Sequence, residues 1–225
     1  MSVNQDAYHQ LKAELGKKEV MLVAVSKTKP VEDILALYEL GQRDFGENYV
    51  QEMREKAGLL PKDICWHFIG HLQSNKLKLI ASFVQLIQGV DSLKLLAAIN
   101  KEAENAGRVI DCLLQVHIAA EETKFGFDAA ELDLTISQLD NLKMSNVRIC
   151  GLMGMASFTT DMNQVKKEFS YLKGLFDKYA QQQTANLKLQ TLSMGMSSDY
   201  RIALEEGSTM VRIGSLLFGE RMSRG

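Results

Sequence analysis

The sequence predicts an α/β protein that folds as a single-domain (β/α)8 barrel of 225 residues. Eight short apolar runs alternate with segments of helical spacing, and the runs have no polar face of the kind an exposed sheet shows. Strands that are apolar on both faces need cover on both sides, which a parallel sheet with intervening helices supplies. Eight strand–helix units match a closed barrel, although the chain is near the short end for that fold.

The elements follow one another along the whole chain after a leading amphipathic helix at about residues 4–17. We predict strands at Val20–Ser26, Asp44–Gly46, Ile64–Gly70, Val84–Val90, Val109–Ile118, Val147–Met155, Leu187–Met194 and Met210–Ile213. We predict helices at Val31–Leu40, Tyr49–Ala57, Asn75–Ala81, Ser92–Ala106, Ala129–Leu139, Asn163–Gln183 and Tyr200–Glu205, with room for a short helix or turn at Ser215–Phe218. The second strand is the weakest of these predictions, since only Phe45 in it is apolar.

An open doubly wound sheet is the alternative arrangement of alternating strands and helices. That fold usually has a glycine-rich phosphate-binding turn after an early strand. The segment that follows the first apolar run, residues 25–30, contains no glycine. The barrel is therefore favoured, and in a barrel the chemistry lies at the carboxyl ends of the strands.

Composition indicates one domain spanning residues 1–225 and a cytoplasmic location. Apolar residues make up 46% of the chain, and a net charge of −2 gives no electrostatic case for nucleic acid or an anionic membrane. The amino-terminal residues have no apolar signal-peptide core, and no stretch reaches membrane-spanning length. Cys65, Cys112 and Cys150 lie in or beside apolar runs, which favours reduced thiols over disulfides or a metal site.

Lys27 follows directly on the first apolar run and is the strongest candidate for chemistry. A lysine at the mouth of a strand lays its stem along the core while its amine reaches a cleft, where burial and a neighbouring cation lower the pKa of an amine. Such lysines form Schiff bases with aldehydes. The alternative is a lysine that ends a strand and extends its amine into water, which is the commoner case.

Two segments near the carboxyl terminus have the pattern of an anion site. After the seventh strand the chain passes through a glycine into Ser197 and Ser198, and after the eighth it continues as Gly214 and Ser215. The loops after strands seven and eight are the usual phosphate site of a barrel, where backbone N–H groups face the anion. Each segment alone is equally consistent with an ordinary helix cap.

Arg212 lies between two apolar residues of the eighth strand. If Val211 and Ile213 face outwards, the arginine points into the barrel, because side chains alternate along a strand. A buried arginine needs an acceptor. A structural carboxylate, a cofactor ring nitrogen and a phosphate all remain open as that acceptor.

Seven stretches of the sequence resemble one family closely, in order from residue 23 to near the carboxyl terminus. They are VAVSKTKP from residue 23, FGENYVQE from 45, WHFIGHLQSNK from 66, KFG from 124, GLMGM from 151, LSMGMS from 192 and GSTMVRIG from 207. The chain thereby resembles the pyridoxal 5′-phosphate (PLP) homeostasis proteins, which are single-domain relatives of the alanine racemase barrel. Ser215 stands where many of them have threonine.

The resemblance implies that the cofactor is PLP and assigns roles to individual residues. Lys27 is expected to hold PLP as a Schiff base, and Arg212 to face the pyridine nitrogen. Asn48 is expected beside the cofactor. The phosphate is expected to bind to Ser197, Ser198, Gly214 and Ser215.

The resemblance also implies binding with little or no catalysis. An arginine at the pyridine nitrogen disfavours protonation of that nitrogen, which makes the ring a poorer electron sink. The chain ends at Gly225 without the second domain of alanine racemases, whose dimers supply a second acid/base group. We expect a monomer that takes part in PLP homeostasis, with PLP-dependent apo-enzymes as possible recipients. A weak PLP-dependent amino-acid racemase and a barrel aldolase that uses Lys27 on a phosphorylated sugar are the alternatives.

Three further residues are open. Lys29 would share the face of Lys27 on an extended strand and could lower its pKa or accept PLP, or it could be an ordinary rim lysine. Lys124 belongs to a loop over the barrel mouth, where a second PLP-accepting lysine and a solvated charge are both possible. His67 is expected to be a hydrogen-bonded core residue.

Overall fold

Eight parallel strands form a closed barrel in their order along the chain, and the eighth pairs with the first. The computed structural model describes residues 3–121, 125–139, 141–142, 144–182, 184 and 186–219. The strands are β1 (Met21–Val25), β2 (Asp44–Glu47), β3 (Cys65–Phe68), β4 (Leu86–Val90), β5 (Ile110–Gln115), β6 (Val147–Met153), β7 (Leu187–Ser193) and β8 (Met210–Ile213). The helices are α1 (Gln5–Gly16), α2 (Val31–Glu39), α3 (Val50–Leu59), α4 (Leu93–Asn105), α5 (Ala129–Gln138), α6 (Met162–Ala180), α7 (Tyr200–Glu205) and α8 (Ser215–Phe218).

The eight predicted strands are confirmed, including the weakly patterned second one. Several end earlier than their apolar runs: the third stops at Phe68 rather than Gly70, and the fifth at Gln115 rather than Ile118. The residues beyond these ends leave the sheet and form the loops of the carboxyl-terminal rim. The helix predicted at Asn75–Ala81 is wrong in type, because Ser74–Leu79 forms a short 3-10 helix, the tighter turn common in connectors.

Side chains alternate between two apolar regions. Val211 and Ile213 of β8 belong to the large core between the strands and the surrounding helices. A smaller cluster fills the barrel interior, formed by Val23, Leu86, Leu113, Met153 and Met210. Arg212 follows the alternation and points inwards, as predicted. No helix in the described ranges combines the length and apolar character that crossing a membrane requires.

Candidate functional site

A cavity of about 460 Å³ opens at the carboxyl-terminal end of the barrel. This volume is typical of small-molecule sites. All seven residues singled out in the sequence line it: Lys27, Asn48, Ser197, Ser198, Arg212, Gly214 and Ser215. The remaining lining residues are Val25, Lys29, Ile69, Met155, Phe158, Met196 and Gly219. The fold thus brings together groups that are up to 188 positions apart in sequence, between residues 27 and 215.

Lys27 occupies a tight turn that begins where β1 ends. The Lys29 N–H donates to the Ser26 carbonyl at 3.0 Å, which closes the turn. Thr28 has a φ of 62°, in the left-handed region that β-branched residues rarely adopt. The Thr28 N–H donates to Glu52 Oε1 at 2.6 Å. The expectation of an extended strand running through Lys29 is therefore wrong, although both lysines reach the cavity.

A buried group of charged side chains supports this turn from the outer layer. Lys56 Nζ donates to the Ser26 carbonyl, to Glu47 Oε1 and to Glu52 Oε1, each at 2.7 Å. Ser26 Oγ donates to Glu47 Oε1 at 2.6 Å. The Ser26 carbonyl and the Thr28 N–H are thus each hydrogen-bonded to a charged side chain. These two bonds fix the backbone on either side of Lys27.

Glu47, the last residue of β2, belongs to this group of charged side chains. Its carboxylate is fully buried and points to Lys56 of α3. Burial raises the pKa of Glu47 to about 7, and the Lys56 ammonium opposes that rise. Glu47 Oε2 has no hydrogen-bond partner among the described residues.

Lys29 directs its amine to the carboxyl end of α8. Lys29 Nζ donates to the carbonyls of Phe218 and Gly219, at 2.7 and 3.3 Å. Lys29 is therefore placed to fasten α8 to the β1 turn beside the cavity.

Asn48 leaves the end of β2 on the cavity side. Its side-chain oxygen is buried, and it has no hydrogen-bond partner within the described part of the chain. A buried polar atom without a partner is costly, so the Asn48 oxygen marks a position beside the cavity where a hydrogen-bond donor is missing.

The loops after β7 and β8 line the cavity with residues whose backbone N–H groups lack backbone acceptors. Gly195 has a φ of 96°, and a Cβ there would lie 2.6 Å from the Cβ of Ala203, so only glycine fits this bend. The Gly214 N–H donates to Ser197 Oγ at 3.3 Å and ties the two loops together. The N–H groups of Ser197, Ser198 and Ser215 find no backbone acceptor in the described ranges. Backbone N–H groups without protein acceptors are the donors from which anion sites are built.

Arg212 is buried at the cavity floor and is held by neutral acceptors. Its Nη1 donates to Ser193 Oγ at 2.5 Å, and its Nη2 donates to the Gly154 carbonyl at 3.0 Å. Desolvation lowers the pKa of Arg212 to about 10, an effect that the more distant carboxylate of Asp199 opposes. No carboxylate of the described residues lies within 4.0 Å of the guanidinium. Of the acceptors left open by the sequence, a carboxylate in direct contact with Arg212 is thus excluded within that part of the chain, and Asp199 acts only from a greater distance.

Other polar residues at strand ends are engaged elsewhere. His71 pairs with Asp91 at 3.0 Å and stacks on Phe125, outside the cavity lining. Ser157 is buried and donates to Glu168. Lys124 lies outside the described residues.

The sequence did not single out the apolar part of the lining. Phe158 is the most exposed large apolar side chain among the described residues, with 93% of its surface accessible, and it stands at the cavity mouth. Ile69, Met155 and Met196 complete the apolar wall. Ile69, Met155 and Met196 each lie in one of the sequence stretches quoted above. That position was the signal from which their place in the lining could have been predicted.

Comparisons with known proteins agree on one family and one fold. The sequence matches the family described as "Alanine racemase, N-terminal domain" over residues 5–222. It is 38% identical over 223 residues to the "Pyridoxal phosphate homeostasis protein" of Pasteurella multocida, covering 97% of this chain and 94% of that protein. The protein of the same name from Synechocystis is 41% identical over 205 residues, covering 90% and 92%. PipY of Synechococcus elongatus, solved with PLP bound, superposes with a TM-score of 0.85 at 36% identity, covering 95% of this chain and 99% of that one.

Proposed function

The chain belongs to the alanine racemase N-terminal domain family, and on that premise we propose that it binds PLP as a Schiff base with Lys27 and takes part in intracellular PLP homeostasis. Relatives that match nearly the whole chain are named as PLP homeostasis proteins, and PipY has been solved with PLP bound. We propose that PLP binds to this chain in the cavity at the carboxyl-terminal end of the barrel.

The observation that carries the proposal is the set of three complementary groups in one cavity. Lys27 offers an amine, the loops after β7 and β8 offer N–H donors without backbone acceptors, and Arg212 offers a buried cation without a carboxylate. PLP has an aldehyde, a phosphate and a ring nitrogen that correspond to these three groups. Asn48 lines the same cavity, and its buried side-chain oxygen has no hydrogen-bond partner among the described residues.

Each residue then has a defined task. Lys27 forms the Schiff base, while Ser197, Ser198, Gly214 and Ser215 bind the phosphate. Arg212 donates to the ring nitrogen, and its permanent charge opposes protonation there. PLP supplies an aldehyde that captures amines and a ring that withdraws electrons, and Arg212 weakens the second property.

The lining favours holding PLP over turning over a substrate. Among the described residues that line the cavity there is no histidine, tyrosine, cysteine, aspartate or glutamate. Racemisation needs a proton-exchanging group on each face of the substrate carbon. Lys29, the second amine in the cavity, is bonded to the carbonyls that end α8. We therefore infer a binding protein, with a weak amino-acid racemase as the lesser alternative.

A spectroscopic comparison of the wild-type protein with two lysine variants tests the proposal. Wild-type protein mixed with PLP should show the visible absorbance band of a Schiff base, and borohydride should attach PLP to Lys27, as read by peptide mass spectrometry. Lys27→Ala should abolish both signals, while the matched control Lys29→Ala should keep them. A wild-type protein that stays colourless with excess PLP would end the proposal.

Turnover is tested separately on the same preparation. Chiral analysis of L-alanine and L-serine after incubation with PLP-loaded protein should detect almost no D-isomer. Rates near the enzyme median of about 10 per second would make the chain a racemase. Borohydride trapping of a sugar phosphate, with no capture of PLP, would instead favour the aldolase.

The cytoplasmic location, the monomeric state and the transfer of PLP to apo-enzymes belong to this proposal. Sedimentation of the PLP-loaded protein should give the mass of one 25.2 kDa chain. The PLP-loaded protein, mixed with the apo-form of a PLP enzyme, should restore that enzyme's activity. The control is the same concentration of PLP-loaded protein that has been reduced by borohydride, and it should restore the activity more slowly.

A further inference from the structure

A chain of hydrogen bonds crosses the barrel interior and ends on Arg212. Arg212 Nη1 lies 2.5 Å from Ser193 Oγ, which lies 2.7 Å from Gln88 Oε1. Gln88 Nε2 lies 3.1 Å from His67 Nδ1, and His67 Nε2 lies 3.0 Å from Asp44 Oδ1. These five residues, called the interior chain below, come from β8, β7, β4, β3 and β2.

The donors and acceptors of the interior chain can be assigned from its two ends. Arginine has donors only, so Ser193 Oγ accepts from Arg212 and uses its own O–H towards Gln88. Gln88 must therefore turn its oxygen to Ser193 and its nitrogen to His67. His67 Nδ1 is then the acceptor, and Nε2 carries the proton that binds the Asp44 carboxylate. Every hydrogen bond thus points from the cavity towards the opposite end of the barrel.

The interior chain occupies space that apolar side chains fill elsewhere in the barrel. Arg212, Ser193, Gln88 and His67 are all buried, with at most 4% of their surface exposed. Buried polar groups cost free energy unless they are hydrogen-bonded, and an apolar interior is the ordinary solution for a barrel. The outer end is different, because the Asp44 side chain keeps 27% of its surface exposed.

The contacts of the guanidinium explain what such a chain achieves. Arg212 is hydrogen-bonded to the Gly154 carbonyl through Nη2 and to Ser193 Oγ through Nη1. The Gly154 carbonyl is backbone, whereas Ser193 is a hydroxyl whose direction depends on Gln88, and Gln88 on His67. Loss of the Ser193 anchor leaves one contact about which the guanidinium can turn.

We propose that Ser193, Gln88 and His67 are positioning residues that orient Arg212 towards the ring of PLP, with the Asp44 carboxylate as the fixed end. The inference rests on the proposed function, since it requires PLP in the cavity. It adds three residues that do not line the cavity and act through Arg212 alone.

PLP titrations of three variants test this proposal. Ser193→Ala and Gln88→Met should each weaken PLP binding roughly tenfold, the scale of one hydrogen bond to a charged group. They should also shift the absorbance maximum of bound PLP, because the cation at the ring nitrogen moves. The control Leu113→Val removes a methylene from the same interior without touching the interior chain, and it should change neither quantity.

A double-variant cycle separates positioning from general packing. In an Arg212→Gln background, Ser193→Ala should cost no further PLP affinity, because the residue through which Ser193 acts is gone. Additive losses in the double variant would overturn the proposal.

Should Ser193→Ala fail to fold, the pair Ser193→Thr and Ser193→Val replaces it. These side chains match in shape, so tighter PLP binding by threonine supports the interior chain, and equal binding contradicts it.

The experiment distinguishes the two levels of inference. A wild-type protein that takes up no PLP contradicts the proposed function itself. A wild-type protein that binds PLP, with Ser193→Ala and Gln88→Met unchanged in both affinity and spectrum, leaves the function standing and removes the positioning role.

Discussion

The two sides of the cavity are built by different physical means. On the β1–β2 side, the Lys27 turn is held by charged groups, with Lys56 bonded to Glu47, Glu52 and a turn carbonyl. On the β7–β8 side, Arg212 is held by a hydroxyl and a carbonyl, both neutral. The Lys56 cation is thus paired with carboxylates of the protein, whereas no carboxylate of the described residues lies within 4.0 Å of the Arg212 guanidinium.

This difference corresponds to what each side has to do. A lysine that captures an aldehyde must lose a proton and change its covalent state, so its backbone needs firm support that does not consume the amine. An arginine that binds a ring nitrogen or a phosphate must keep its charge available, so neutral anchors suit it. Removal of a charged side chain should therefore lower stability on the β1–β2 side and lower PLP affinity on the β7–β8 side.

Removal of Lys56 should have the largest effect on stability. Lys56→Met at pH 8 leaves the buried Glu47 carboxylate without its cation, and breaking a buried pair costs about 3–5 kcal/mol. Urea unfolding, read by circular dichroism, measures the change. The double variant with Glu47→Gln should recover most of the loss, since no charge is then stranded. A double variant as unstable as Lys56→Met would show that the cation acts by packing alone.

The pH dependence of stability should reveal Glu47 itself. Its pKa is raised to about 7 from the ordinary 4.5, so between those values the folded protein keeps a proton that the unfolded chain releases. Stability therefore falls as the pH rises through this window, by up to about 3 kcal/mol, and the contribution is constant above it. The Glu47→Gln variant has no carboxyl group at this position, so this contribution to the pH dependence is absent from it.

Unfolding free energies of the wild type and Glu47→Gln, measured side by side from pH 4.5 to 8, check this prediction. The wild type should lose stability relative to the variant as the pH rises, while other titrating groups cancel in the difference. A difference that stays constant across the window would mean that Glu47 ionises normally.

Replacement of Arg212 should show the opposite behaviour from replacement of Lys56. Arg212→Met removes a buried cation that costs desolvation free energy and has no carboxylate within hydrogen-bond distance, so the loss of stability should be small. PLP affinity should nevertheless fall at least about tenfold with the loss of a charged hydrogen bond. Thermal unfolding without PLP and a PLP titration measure the two effects. A variant that is strongly destabilised and yet binds PLP normally would reverse the comparison.

The sequence predicted the barrel and the lining of the cavity because both depend on local patterns. Alternation along β8 was enough to turn Arg212 inwards, and glycine followed by serine after β7 and β8 marked the N–H donors. Lys27 stood out because a charged residue directly follows an apolar run. Their common position was predictable as well, since parallel strands bring all their carboxyl ends to one rim.

The supporting residues had no local signal. Gln88 and Ser193 are 105 positions apart, and their contact depends on the register of strands that are not neighbours in sequence. Lys56 looked like any surface lysine of an amphipathic helix, yet it is buried with 7% of its side chain exposed. The turn at Lys27 was missed because its left-handed position is occupied by threonine, where turn chemistry usually shows glycine.

That threonine gives the smallest predicted effect and tests how the Lys27 turn stores strain. Thr28→Gly should stabilise the protein by up to about 1 kcal/mol, because relief of a left-handed β-branched residue outweighs the extra chain entropy of glycine. Thr28→Ala is the matched control and should give no gain, since it retains a Cβ. Both variants keep the backbone N–H that binds Glu52, so a difference in urea unfolding reports the strain relieved minus the extra chain entropy of glycine. A glycine variant less stable than the alanine variant would mean that the charged groups beneath the turn hold it in place without strain.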